Sequence, residues 1–340
     1  MDNFVQLPQD ERRVYFEQTA ARLGLSAQIV EKDFWVCWSL KRLFTLDEFR
    51  DHLTFKGGTS LSKVYKIIER FSEDVDIAIE RSFLGFGGDH EPEKGVSGKE
   101  QQRRIAKLKE ACQTSISQRL APQLHTAIAT HIDDRNEWSL DADPVDKDEQ
   151  TLLFKYPSAI ATELSPYFAA SVKIELGARS DHFPVENASV TPYLCDAIPD
   201  ALSESAAPVR VLGAKRTFWE KATILHMLHH QPEGKPVAPR MSRHYYDVFQ
   251  LSNSSIMDQA MESIHLLDRV AQHKSVFFKS AWAKYDTARP RTLRLLPSDN
   301  IVAELRRDYA AMEPMFFDEP PAFRTILDRI HELEKRINRA

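Results

Sequence analysis

Two aspartates, Asp74 and Asp76, stand one residue apart in the run Phe71-Ser72-Glu73-Asp74-Val75-Asp76-Ile77. On an extended chain alternate side chains share a face, so both carboxylates point one way while Val75 anchors the strand from behind. Two such acids can share divalent cations about 4 Å apart, which is what phosphoryl and nucleotidyl transfer need. In those reactions the protein supplies little covalent chemistry; it positions phosphates and neutralises charge. Taken alone, the pair reads first as the solvent face of an amphipathic strand.

The pair has neighbours that change this reading. Upstream, Lys56-Gly57-Gly58-Thr59-Ser60-Leu61-Ser62-Lys63 puts paired glycines at the start of a helical stretch. Glycines there let a triphosphate approach backbone N–H groups and the positive end of a helix dipole. Thr59 and Ser60 fit phosphate contact or N-capping, and Ser72 fits a phosphate hydrogen bond or a turn-shaping role. A third acid, Glu175, lies in Ser171-Val172-Lys173-Ile174-Glu175-Leu176-Gly177 and would complete a metal triad with Asp74 and Asp76. Its alternative is an exposed strand residue paired with Lys173 or Arg179.

The elements that must position these residues follow from apolar spacing. Residues 10–46 have helical periodicity with a break at Gly24-Leu25-Ser26, where Ser26 can cap the second helix. Residues 52–56 read as a short strand, 57–70 as a tight turn and helix, and 74–80 as a second strand. Five of the chain's 11 glycines fall between 84 and 98, which predicts a mobile loop. A charged helical region spans about 99–131, followed by strand candidates at 150–156 and 170–178. From about Thr217 the pattern is helical, with polar breaks at 231–239 and 289–300. The expectation is an α+β protein: N-terminal helices over 1–50, a catalytic domain over 51–212 with a mixed sheet flanked by helices, and a helical C-terminal domain over 213–340.

Composition narrows the class. A chain of 340 residues with 42% hydrophobic residues can bury one large core or two modest ones. A net charge of −5 argues against indiscriminate coating of nucleic acid, so any such contact is patch-like. Cys37, Cys112 and Cys195 lie far apart with no CxxC pair, which fits a reducing cytoplasm. The N-terminal residues lack a secretion signal and no apolar run is long enough to span a bilayer, so a cytoplasmic protein without membrane partners is expected.

The motifs KGGTSLSK at 56–63 and FSEDVDI at 71–77 resemble those of the AbiEii/AbiGii toxin family, within the polymerase-β-like nucleotidyltransferases. The superfamily pattern is a glycine turn, a spacer of about ten residues and D-x-D on the next strand; the spacer here is longer, as in the family. Thr217-Phe218-Trp219-Glu220-Lys221-Ala222 resembles the family's E-K helix motif, Arg243-His244-Tyr245-Tyr246-Asp247 its R-x-x-x-D motif, and Val30-Glu31-Lys32-Asp33-Phe34-Trp35 also has a familial look. The resemblance runs from about residue 28 to 250. It implies a metal-dependent nucleotidyltransferase with Mg²⁺ or Mn²⁺ on Asp74, Asp76 and Glu175, and an NTP held by Gly57, Gly58, Thr59, Ser60 and Ser72. Lys221 would offset phosphate charge, and Asp247, facing the same cleft, would orient that lysine or accept a proton. It further implies a toxin with a cognate antitoxin, and an acceptor hydroxyl on RNA such as the tRNA 3′ end or on protein.

Two other readings use the same residues: a small-molecule nucleotidyltransferase resembling the aminoglycoside-modifying enzymes, and a catalytically silent nucleotide- or RNA-binding relative. The intact acids and Lys221 speak against the second. His226, His229 and His230 share a helix face but lack accompanying zinc ligands. Phe34, Trp35 and Trp38 fit core packing better than base stacking, and Arg103, Arg104, Lys107 and Lys109 read as a solvated strip that RNA phosphates would also suit. Asp33 lies outside the proposed site and would serve as the control substitution in a toxicity assay.

Overall fold

The computed structural model describes residues 1–133, 137–160 and 169–339. The chain forms two compact units, Met1–Val64 with Phe71–Val211, and Tyr65–Arg70 with Leu212–Ala340.

The first unit is built on a seven-stranded mixed sheet. Its strands are β1 (Leu53–Lys56), β2 (Val75–Ile79), β3 (Ser139–Ala142), β4 (Thr151–Lys155), β5 (Ser171–Gly177), β6 (Val185–Val190) and β7 (Ala207–Leu212), in the spatial order β3-β4-β5-β2-β1-β7-β6. β2 runs parallel to β5 and antiparallel to β1, and β4 is antiparallel to both β3 and β5. Alternation sorts the faces: Phe55, Val75, Ile77, Ile174, Leu152 and Phe154 are buried on one side. The other side carries, in one register row, Thr151, Glu175, Asp76 and Lys56.

The apolar face is covered by the helix Ala27–Leu43, whose Phe34, Trp35 and Trp38 are fully buried, with Trp38 stacked on Phe154 at 5.8 Å. The packing reading of these aromatics therefore holds, and each contributes the large apolar area typical of a core aromatic. The preceding helix, Gln9–Leu23, ends at Gly24 with φ 68°, a left-handed residue that glycine adopts without a Cβ penalty. Ser26 caps the next helix by accepting from Ile29 N at 3.2 Å.

Several elements differ from expectation. The helix after the glycine turn is Gly57–Lys63 and stops short of residue 70. The apolar spacing of Val64, Ile67 and Ile68 mimics a helix, but Lys66 adopts φ 52° and Arg70 forms a bridge to Phe316. The glycine-rich stretch contains two 3₁₀ turns, Gly88–His90 and Pro92–Lys94, and is held by Arg81, which pairs with Glu93 at 2.6 Å and donates to the Ala178 carbonyl. β3, β6 and β7 are strands that apolar alternation did not announce.

The second unit is helical, with Ala214–His229, Ser242–Ser252, Ile256–Glu262, His265–Phe277, Asp299–Ala311 and Phe323–Arg339. Phe218, Trp219, Leu225, Val248, Leu267 and Ile330 lie in its core. Among the described residues no helix is long and apolar enough to cross a membrane.

Candidate active site

The acids sit where two sequence-distant strands meet. Asp76 on β2 and Glu175 on β5 are direct register partners, and Lys56 on β1 is the register partner of Asp76 on its other side. Asp74 immediately precedes β2, and its carbonyl accepts from Thr59 Oγ1 at 2.5 Å. Lys56 Nζ lies 3.8 Å from Asp76 Oδ1, and Lys173 Nζ lies 2.7 Å from Glu175 Oε1. Burial lowers the Lys173 ammonium's pKa, but the bond to Glu175 and the charges of Glu175 and Asp74 overcome this, so it ends above its ordinary value. The polar face thus flanks its neighbouring acids with lysines.

The glycine turn is fitted to the acid strand. Gly57 has φ 81°, and a Cβ placed there would meet Asp76 Oδ2 at 1.9 Å. Only glycine allows both that backbone and that approach. Thr59 Oγ1 hydrogen-bonds Ser72 Oγ at 2.9 Å, and Ser60 donates to the Gly57 carbonyl at 2.9 Å. Both hydroxyls belong to fully buried residues and fasten the turn from inside. Neither residue is the N-cap; Lys56 occupies that position, without a side-chain cap.

The Glu31-Lys32-Asp33 motif braces this arrangement from behind. Lys63, the last residue of the glycine-turn helix, donates to Asp33 Oδ1 at 2.6 Å, and Tyr193 N donates to Asp33 Oδ2 at 2.7 Å. Lys32 pairs with Glu73, next to Asp74, and Glu31 accepts from Ser158 at 2.6 Å. Asp33 is therefore a buried structural anchor and a poor choice of inert control.

Lys221 and Asp247 are brought together in the helical unit, from the helices Ala214–His229 and Ser242–Ser252. Lys221 Nζ donates to Asp247 Oδ2 at 2.7 Å, and Arg70 grips the same carboxylate through Nε and Nη2, both at 2.9 Å. All three side chains are buried. Burial alone would raise the carboxyl's pKa, but Arg70 and Lys221 hold it well below the ordinary aspartate range. A carboxylate so satisfied is a weak proton acceptor. Burial lowers the Lys221 pKa, Asp247 opposes this, and Arg70 adds to it.

The oxygen-only donor set of Asp74, Asp76 and Glu175 suits a hard cation such as Mg²⁺ or Mn²⁺, which takes one or two carboxylates and completes its shell with water and phosphate oxygens. Gly57, lacking a Cβ, lets the Asp76 carboxylate sit directly against the glycine turn. Among the described residues no group of three His, Cys, Asp or Glu side chains is clustered as a metal cage. Two of the three histidines have other partners: His226 Nε2 lies 3.0 Å from the Lys284 carbonyl oxygen and His229 Nδ1 lies 2.8 Å from that of Leu296. The strip of Arg103, Arg104 and Lys109 is paired with Glu100 and Asp148.

Lys56, Lys173, Arg70 and the Asp33–Lys63 brace were not singled out from sequence as parts of a site. Lys173 carried a signal, standing two residues before Glu175 on a strand, whereas Arg70 carried none, lying 177 positions from its partner.

A mixed sheet presenting acids beside a glycine turn has the parts that nucleotidyl transfer requires, carboxylates for cations and backbone amides for phosphates. The family model described as "Nucleotidyl transferase AbiEii toxin, Type IV TA system" matches residues 38–329. The chain belongs to this family of nucleotidyltransferase toxins, which implies an NTP substrate and a cognate antitoxin. Two solved structures are similar over most of their length. MenT4, a nucleotidyltransferase toxin from Mycobacterium tuberculosis H37Rv, is 14% identical with a TM-score of 0.43, covering 95% of this chain and 97% of its own. JHP933 from Helicobacter pylori is 13% identical with a TM-score of 0.34, covering 93% and 98%. No curated protein sequence matches the chain.

Proposed function

We propose that this enzyme is the metal-dependent toxin of a cytoplasmic toxin–antitoxin pair and moves an NMP unit from an NTP to an acceptor hydroxyl, with the tRNA 3′ end as first candidate and a protein hydroxyl as second. The observation that carries the reading is the fit of Asp76 against Gly57, in register with Glu175, within a chain of this family. In the proposed reaction the acceptor hydroxyl oxygen bonds to the α-phosphorus as the bond from that phosphorus to the departing pyrophosphate breaks, and the hydroxyl proton passes to solvent.

Asp74, Asp76 and Glu175 would hold Mg²⁺ or Mn²⁺, which when bound polarises phosphate oxygens and offsets their charge. Gly57, Gly58, Thr59 and Ser60 would meet the triphosphate with backbone N–H groups, since the two hydroxyls are already engaged. Ser72 would shape the same turn through Thr59. Lys221 would donate to the β and γ phosphates. Asp247 would fix that lysine, because a carboxylate that already accepts three charge-assisted bonds is poorly suited to take a proton.

The test is incubation of the purified chain with each of the four α-labelled NTPs, Mg²⁺ or Mn²⁺, and either total bacterial tRNA, total protein or aminoglycosides. Label in tRNA that Asp76→Asn removes supports the reading. Label in aminoglycosides alone selects the small-molecule alternative, and no label in any acceptor with any NTP sinks the enzyme assignment.

A further inference from the structure

The Asp247 carboxylate is shared unequally. Arg70 occupies both oxygens in a two-pronged grip, while Lys221 takes one bond, to Oδ2 only. A guanidinium fork fixes the plane of a carboxylate in a way that an ammonium cannot. Each end of the cluster is deeply buried, Arg70 at 2% and Asp247 at 0% exposure, so neither charge is relaxed by water. Two cations, Arg70 and Lys221, thus meet on one carboxylate. Lys221 keeps two N–H donors that no described residue takes. We propose that Arg70 is a positioning residue of the nucleotidyl transfer: by fixing the plane of Asp247 it fixes Lys221, and by drawing off part of the carboxylate's charge it leaves the ammonium under-compensated toward phosphate.

The inference rests on the reading of Lys221 as a phosphate donor given above. Other charged and titratable groups also act on that lysine. Arg243 lowers its pKa and Asp247 raises it, while the Lys221 charge in turn lowers the pKa of Lys274 and of His244. Burial holds His244 neutral, so it adds no charge of its own near pH 7. Lys274 donates to the Glu220 carbonyl at 2.9 Å, one residue before Lys221. Among the described residues Arg70 is the other side chain shown bonded to the anion that pairs with Lys221, so removing its charge shifts Lys221 in one direction, toward easier protonation.

The experiment measures steady-state label transfer from the preferred NTP to total bacterial tRNA, with thermal melting of every variant. Wild-type transfer that Asp76→Asn abolishes comes first; its failure sinks the functional reading itself. Given that transfer, Arg70→Lys keeps a cation but loses the fork, and lowers kcat about tenfold with KM for the NTP within about twofold. Arg70→Gln removes the charge and moves the alkaline limb of the kcat/KM profile to higher pH, which a purely structural role would not do. Arg70→Lys at wild-type kcat, a fall in rate matched by a smaller folded fraction, or an alkaline limb unmoved in Arg70→Gln overturns the proposal while leaving the functional reading intact. If Arg70→Gln does not fold, kcat and the folded fraction of Arg70→Lys decide.

Discussion

Asp76 Oδ2 lies where residue 57 would carry a Cβ, the separation being 1.9 Å. The acid and the glycine turn are one device, since moving either moves the other. Gly57→Ala should add backbone strain at φ 81°, of about 1–3 kcal/mol, and push the carboxylate aside. The variant is expected to remain folded by circular dichroism while label transfer falls by about 100-fold or more. Wild-type transfer by Gly57→Ala would show that the Asp76 approach is not used.

How much of this was legible follows from burial. β1, β2, β4 and β5 have apolar residues on one face and, apart from Ala78 and Leu153, polar ones on the other, and that alternation can be read directly. β3 and β6 end the sheet and carry Ser139, Asp141, Glu186 and Asn187, so they resemble loops; β7 has Pro208 as its second residue. The acids and the glycine turn form a local motif. The lysines that face them and the Arg70–Asp247 contact depend on strand register and long-range packing, which spacing does not encode.

Lys173 competes with a cation for Glu175. The pair is about 40% exposed on each side, so its contribution to stability is small, yet the bond must loosen if Glu175 is to bind metal. Lys173→Met should lower the Mg²⁺ concentration that gives half-maximal transfer by a few-fold, and Glu175→Gln should raise it. No movement of the metal dependence in either variant would assign Glu175 to the surface pair alone.

Asp33 and Lys63 anchor the glycine-turn helix through a contact with side chains only 3% and 5% exposed. Breaking one partner strands the other charge in the core, at a cost of about 3–5 kcal/mol. Asp33→Asn should therefore lower the urea midpoint and weaken toxicity through abundance. Asp33→Leu combined with Lys63→Met removes both charges and should recover most of the lost stability. A double variant no more stable than Asp33→Asn would mean that the Tyr193 N–H bond, also lost, dominates.

Asp247 gives a pH signature with a fixed sign. Burial works against its charge, yet Arg70 and Lys221 bring its folded pKa well below the ordinary 3.8. A carboxylate with a depressed folded value contributes stability that is fully present above the unfolded value and is lost as pH falls toward the folded one. Near pH 7, Asp247→Asn leaves two buried cations facing an amide and should cost about 3–5 kcal/mol. The difference in unfolding midpoint between wild type and variant should then shrink as pH drops below 3.8, because the wild-type carboxylate gains the proton it resists when folded. Urea titrations from neutral to acid pH check this, and a difference that keeps its neutral size well below that value would mean that the arginine and lysine do not hold the charge.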